Sequence, residues 1–169
     1  MEKITIQTII LLIVSITGGI YDWKARRIPN WLTFGTFLLA LIINFSHLRL
    51  HDFLNCILGF LVGILLLIIP YLMGGMGAGD VKLLGAIGSL VGFKNVVLIF
   101  IYSAICGLFL GLIWLIFTPG HLKFLITTGQ ILPQVDKKQK VPYGIAILLG
   151  TILYIVFEKN NLFKLPLWQ

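Results

Sequence analysis

Six apolar stretches joined by short polar links leave this chain few folds to choose from. They run over about Ile4–Ile20, Trp31–Phe45, Phe53–Met73, Val81–Phe93, Val96–Phe117 and Pro142–Phe157. A spanning helix needs about 20 apolar residues, with tolerance down to about 17. The second and fourth stretches are short by that measure and need flanking residues to cross. Only 11% of the residues are charged, where a soluble domain carries about a quarter. The expectation is an all-α, polytopic membrane protein with about six transmembrane helices. No soluble module interrupts the stretches, so residues 1–169 read as a single domain. The first stretch starts close to Met1, with no strongly basic leader and no small-residue cleavage site. It reads as a retained helix rather than a signal.

Small residues punctuate the apolar stretches. Gly59 and Gly63 form one G-x-x-x-G pair and Gly107 and Gly111 another. Such pairs let helix backbones approach closely. They serve internal packing as readily as a homo-oligomer, so a homo-oligomer is possible. Pro70 falls where it can kink the end of the third helix. The fourth stretch is rich in Gly, Ala and Ser, which suits a helix packed among others.

The formal net charge is +7. In a soluble protein that would suggest nucleic acid. Here the basic residues sit at helix ends, so the expected partner is the bilayer, and no nucleic acid is expected. With the N-terminus outside, the inner side holds Lys24, Arg26, Arg27, Lys82, Lys123, Lys137, Lys138 and Lys140, a majority of the 13 basic residues. The bias favours N-out and C-out. Trp168 reads as an interfacial anchor, and the basic link from Lys123 to Lys140 as a membrane-surface segment.

No metal or cofactor is expected. Cys56 and Cys106 lie inside apolar stretches, belong to no C-x-x-C and read as small buried residues. His47 and His51 have the spacing of a helix face, but no third ligand accompanies them.

The candidate chemistry rests on Asp22 and Asp80. Each stands at the edge of an apolar stretch, where a carboxylate is expensive. Alone, each has a plain structural account: Asp80 caps the helix that follows, and Asp22 pairs with Arg26. Together they fall at one depth, at the cytoplasmic ends of their helices. Two adjacent carboxylates cannot both ionise cheaply, so one keeps a proton. The ionised one can activate water and the protonated one can protonate a peptide carbonyl. Gly77 and Gly79 just before Asp80 give backbone freedom and room for an extended peptide. Lys82 either snorkels to the interface or holds a carboxylate or a substrate carbonyl. Tyr143 either lines the site or belongs to the aromatic belt. Gly77, Gly79, Lys82 and Tyr143 are thus the residues expected to bind substrate or shape the site.

Three places carry a resemblance. Gly77-Ala78-Gly79-Asp80 is a G-x-G-D followed by Val81-Lys82-Leu83. Asp22 is followed, after a basic link, by Ile28-Pro29-Asn30, and Val141-Pro142-Tyr143-Gly144 opens the last stretch. In these the chain resembles the type IV prepilin peptidases, polytopic aspartic endopeptidases. The resemblance implies a catalytic pair, Asp22 and Asp80. It also implies cleavage of leader peptides from prepilins or pilin-like precursors at the cytoplasmic face of the cell membrane. The long bacterial forms carry an N-terminal extension with paired C-x-x-C motifs and also methylate the new N-terminus. This chain has neither extension nor motifs, so methyltransferase activity is not expected. It is similar to the short enzymes of tight-adherence (Flp-type) pili or to archaeal preflagellin peptidases.

Two other readings compete. Presenilin-like intramembrane proteases also use a Tyr-Asp, which Tyr21-Asp22 matches, and a G-x-G-D; they carry a Pro-Ala-Leu that this chain lacks. A pilus-assembly scaffold or ion-coupled transporter would also place aspartates in a membrane, but would not need the glycine turn before Asp80.

Overall fold

The computed structural model describes residues 2–45, 50–117 and 143–159. Six helices lie within them: α1 (Glu2–Ala25), α2 (Asn30–Phe45), α3 (Leu50–Leu72), α4 (Ala78–Val91), α5 (Phe93–Phe117) and α6 (Tyr143–Lys159). Each apolar stretch of the sequence is one of these helices. His47, the link over 121–141, Pro142 and Trp168 lie outside the described residues.

The helix boundaries differ from the expected ones for identifiable reasons. α1 runs past Ile20 to Ala25, which puts Asp22 on the helix rather than after it. The Asp22 carbonyl accepts the Arg26 N–H at 2.9 Å. Arg26 then takes a left-handed φ of 49° and stops the helix. α3 carries Pro70 inside its last turn. Its end closes as a Schellman motif: Gly75 donates to the Pro70 carbonyl at 3.0 Å and Gly74 to the Tyr71 carbonyl at 2.9 Å. Gly74 supplies the left-handed φ, 78°, that this cap requires. α4 and α5 are separated by Gly92 alone, at φ 83°. Phe93 at the start of α5 donates its N–H to Asn55 Oδ1 at 3.2 Å, so an orphan donor of that helix end is satisfied inside the protein.

The protein is an all-α, multi-pass membrane protein. Among the described residues, Ile6–Ala25, Leu50–Leu72 and Phe93–Ile113 are long and apolar enough to cross a membrane. Asn30–Asn44 and Tyr143–Phe157 are apolar but shorter. The outer faces are continuously apolar. Ile6, Ile9, Ile13, Ile16 and Ile20 form an exposed stripe on α1, and Leu54, Leu58, Leu61, Leu65 and Ile69 form another on α3. Exposed stripes of that length would drive aggregation in water and are solvated in hydrocarbon.

α4 is the centre of the bundle. It has 14 residues, about 21 Å at the helical rise, which is less than the ~30 Å of a hydrocarbon core. It contacts all five other helices, and every residue from Leu83 to Leu90 is buried. Glycine lets α3 lie against it backbone to backbone. A Cβ on Gly59 would collide with the Gly88 carbonyl, and one on Gly63 would stand 2.6 Å from the Leu84 carbonyl oxygen. The Gly59/Gly63 pair is therefore used within the chain. The second pair divides: Gly107 faces the Tyr143 ring, whereas among the described residues nothing lies within 4 Å of a Cβ on Gly111.

Candidate functional site

Chain direction brings the predicted residues to one end of the bundle. α3 and α4 run antiparallel, with Gly59 against Gly88 and Gly63 against Leu84. α1 and α6 do the same, with Ser15 bonded to Thr151 at 3.3 Å and Asp22 to Gly144. α1 and α4 meet where a Cβ on Gly18 would touch the Leu83 side chain at 2.8 Å. Asp22 lies one turn beyond Gly18, about 6 Å along its axis, and Asp80 lies about 4.5 Å before Leu83. α1 arrives at this end and α4 departs from it, so the two carboxylates stand at similar depth.

Both aspartates are buried, Asp22 at 7% exposure and Asp80 at 5%. Asp22 continues the inward stripe of α1: Leu11, Val14, Ser15, Gly18 and Gly19 are all buried at helical spacing. Its Oδ2 accepts the Gly144 N–H at 2.7 Å. Asp80 sits in the first turn of α4, where its Oδ2 accepts the Gly77 N–H at 3.1 Å and its own N–H donates to the Gly77 carbonyl at 3.2 Å. This reciprocal pairing is the helix-start role expected of an aspartate there. It occupies one oxygen of the side chain and does not exclude chemistry at the other.

The glycines before Asp80 act through space rather than through unusual backbone angles. Gly77 is extended, at φ −87° and ψ 152°. Gly79 lies inside α4, and a Cβ there would stand 3.1 Å from Ile28 Cβ and 3.2 Å from Ile28 N. The neighbour for which Gly79 makes room is thus the α1–α2 link. The adjoining Lys82 donates from Nζ to Asn30 Oδ1 at 3.0 Å on the exposed rim. Asn30 is the first residue of α2, and its side chain binds Lys82. The Asp22–Asn30 region and the G-x-G-D, far apart in sequence, are in this way one packed unit.

Tyr143 is half-buried, lies against Gly107 and is within electrostatic reach of Asp80. The second residue of α6, Gly144, is bonded to a carboxylate, through its N–H to Asp22 Oδ2. Sequence reasoning gave Gly144 no role of its own. A glycine at the head of an apolar helix looks like any packing glycine, and only its neighbour across the bundle distinguishes it. Around this end, Tyr21, Trp23 and Trp31 are exposed beside exposed Lys24, Arg26, Arg27 and Lys82. That is the composition of a membrane–water interface. Tyr21 and Trp31 meet edge to face at 6.3 Å.

The remaining candidates lie apart. His51 is exposed at the start of α3, 3.7 Å from Asp52. Cys56 is buried, and Cys106 is half-buried. Among the described residues no three His, Cys, Asp or Glu side chains gather as metal ligands.

Comparison with known proteins gives the family. The model of the type IV leader peptidase family matches residues 9–112, which include both aspartates and the G-x-G-D. A prepilin leader peptidase/N-methyltransferase of Xanthomonas campestris pv. campestris is 33% identical over 147 residues, 83% of this chain and 45% of that protein. The chain thus spans about half the length of the curated relative it matches. That relative is named for both activities, which overturns the expectation that methyl transfer is absent: it rested on missing motifs, whereas the shared sequence aligns with a bifunctional protein. No solved structure matches the chain.

Proposed function

Because the chain belongs to the type IV leader peptidase family, we propose that it is a membrane endopeptidase cutting leader peptides from prepilins or pilin-like precursors, with Asp22 and Asp80 as its reacting carboxylates. One observation carries the reading. Two aspartates far apart in sequence are buried at one end of the bundle, and the Gly144 amide of α6 bonds to one of them. Burying one carboxylate in an apolar bundle is costly, and burying two without a function is more so.

In the proposed reaction the pair shares one proton, which belongs to the pair and not to either residue. The ionised carboxylate takes a proton from water as the water oxygen bonds to the scissile carbonyl carbon. The protonated carboxyl gives its proton to the carbonyl oxygen, leaving a neutral tetrahedral diol. The first carboxyl then protonates the amide nitrogen as the C–N bond breaks. A diol proton returns to the second carboxylate, which restores the starting state. The leader lies extended along Gly74–Ala78, where Gly74, Gly75, Gly77 and Ala78 are exposed. No step calls on a metal, so cleavage is expected to survive EDTA. Loss of activity that added zinc restores would sink the carboxylate mechanism.

Producing the chain together with a type IV prepilin tests the reading directly. The expected result is a precursor shortened by its leader, seen as a size shift in the membrane fraction. A precursor that stays full length across a panel of pilins overturns it.

The proposal includes N-out, C-out topology, with the active site facing the cytoplasm. Support comes from the exposed Lys24, Arg26, Arg27 and Lys82 at the site end, since basic residues are retained inside. Alkaline phosphatase fused after Gln169 is expected to be active, as it folds only outside the cytoplasm. An inactive phosphatase fusion, paired with a fluorescent green fluorescent protein fusion at the same residue, reverses the topology.

A further inference from the structure

The link between α6 and α1 is closer than packing requires. α6 begins at Tyr143, so the amide of Gly144 is among the first-turn donors that have no partner within their own helix. It is spent on Asp22 Oδ2, at 2.7 Å and in a buried setting. A short bond of this kind to a carboxylate is among the stronger hydrogen bonds proteins make. The helix start adds partial positive charge at the same place.

That bond exists only because residue 144 has no side chain. A Cβ there would stand 2.7 Å from Asp22 Cβ, 2.9 Å from its Oδ2 and 3.1 Å from its Cγ. Asp22 Cβ is fixed to the α1 backbone and cannot rotate away. Gly19 clears the opposite side, where a Cβ would lie 3.1 Å from Leu148 Cδ2 and 3.5 Å from the Gly144 carbonyl oxygen. Two turns deeper, Ser15 and Thr151 bond to each other, and both are fully buried. The register of α1 against α6 is therefore held independently of the Gly144 amide.

We infer that Gly144 is a positioning residue for the reaction: its amide fixes the orientation of the Asp22 carboxylate, and its missing side chain brings α6 near enough to do so. The inference rests on the reading of Asp22 as one of the two reacting groups. A residue serving only as packing would need the missing Cβ and not the N–H, so removing the N–H alone separates the two roles.

Incorporating glycolic acid at position 144 by stop-codon suppression in the full chain turns that amide into an ester, deleting the donor and adding no side chain. Cleavage of a purified type IV prepilin is then followed in lipid nanodiscs together with thermal unfolding. The ester at 144 is expected to lower kcat by about 10- to 100-fold, the scale of one hydrogen bond to a charged group. KM is expected to stay at its wild-type value, and the protein to stay folded with an unfolding midpoint above that of Gly144→Ala. The α-hydroxy analogue of isoleucine at Ile145, an ester in the same helical turn, is expected to leave kcat within about two-fold. Gly144→Ala keeps the N–H but displaces Asp22, and is expected to lower both kcat and the unfolding midpoint. Wild-type kcat in the 144 ester, with Asp22→Asn inactive, overturns the inference alone. So does an equal loss in the 144 and 145 esters, or a 144 ester that fails to fold, since either makes the amide's role structural. Wild-type kcat in Asp22→Asn overturns the two-aspartate reading and the inference with it.

Discussion

Asp22→Asn and Asp80→Asn are each expected to abolish leader cleavage while leaving the protein folded in the membrane. The proposed reaction needs each side chain both to hold and to release a proton, and an amide can do neither. General acid–base groups contribute about 100- to 10,000-fold, so a loss of at least about 100-fold is expected from either variant. The amide is nearly isosteric with the carboxylate, and its carbonyl oxygen can still accept the N–H of Gly144 or Gly77. Removing a buried carboxylate from an apolar bundle also removes a desolvation cost. Both variants are therefore expected to unfold no earlier than wild type, the pattern of a site where stability is given up for activity. If the aspartates were only caps or packing groups, cleavage would survive. The size shift of a co-produced prepilin, with thermal unfolding in detergent, reads both quantities. Cleavage by either variant at close to the wild-type rate ends the two-aspartate proposal.

The second large effect concerns the fold. Gly88→Leu is expected to destroy the bundle's centre. A Cβ on Gly88 collides with the Gly59 carbonyl, and a Cβ on Gly59 collides with the Gly88 carbonyl. Backbone cannot rotate aside as a side chain can, so α3 and α4 would have to part. Every other helix packs on α4, and the gap would spread through the molecule. Overpacking a core costs about 1–3 kcal/mol where side chains can adjust; here a loss above that range is expected. It is read as an unfolding midpoint lowered beyond recovery in mild detergent and as rapid proteolysis. Gly111→Ala is the control. Among the described residues nothing stands within 4 Å of its Cβ, and alanine favours the helix by roughly 0.4–1 kcal/mol, so no loss is expected. A Gly88→Leu protein that unfolds with the control would show that the close α3–α4 approach is dispensable.

The sequence exposes some of this organisation and hides the rest, for physical reasons. Helix identity and order were readable because hydrocarbon-length apolar runs admit few structures once backbone groups must be satisfied internally. Asp22 was readable as a carboxylate at the edge of an apolar run, but that it lies on α1 and faces inward in line with Ser15, Gly18 and Gly19 comes from the structure. The ends of the helices were less legible. α1 continues to Ala25 because one left-handed arginine, not the charged cluster, stops it. α5 starts at Phe93 because a single glycine completes the preceding turn.

By itself, the sequence determined six apolar helical stretches and two aspartates at the edges of apolar runs. Periodicity reports which side of a helix is buried, and composition reports that its surroundings are apolar. Neither says what the buried side touches, because lipid and a neighbouring helix are equally hydrophobic to a leucine. Only the tertiary structure decided that all five other helices pack on α4, that Gly59 and Gly63 face it, and that Gly79 accommodates Ile28. It also decided that the amide of Gly144, 122 residues from Asp22 in the chain, holds that carboxylate. That bond depends on two helices coming within hydrogen-bonding distance at one particular pair of residues, a coincidence of positions that no local pattern encodes.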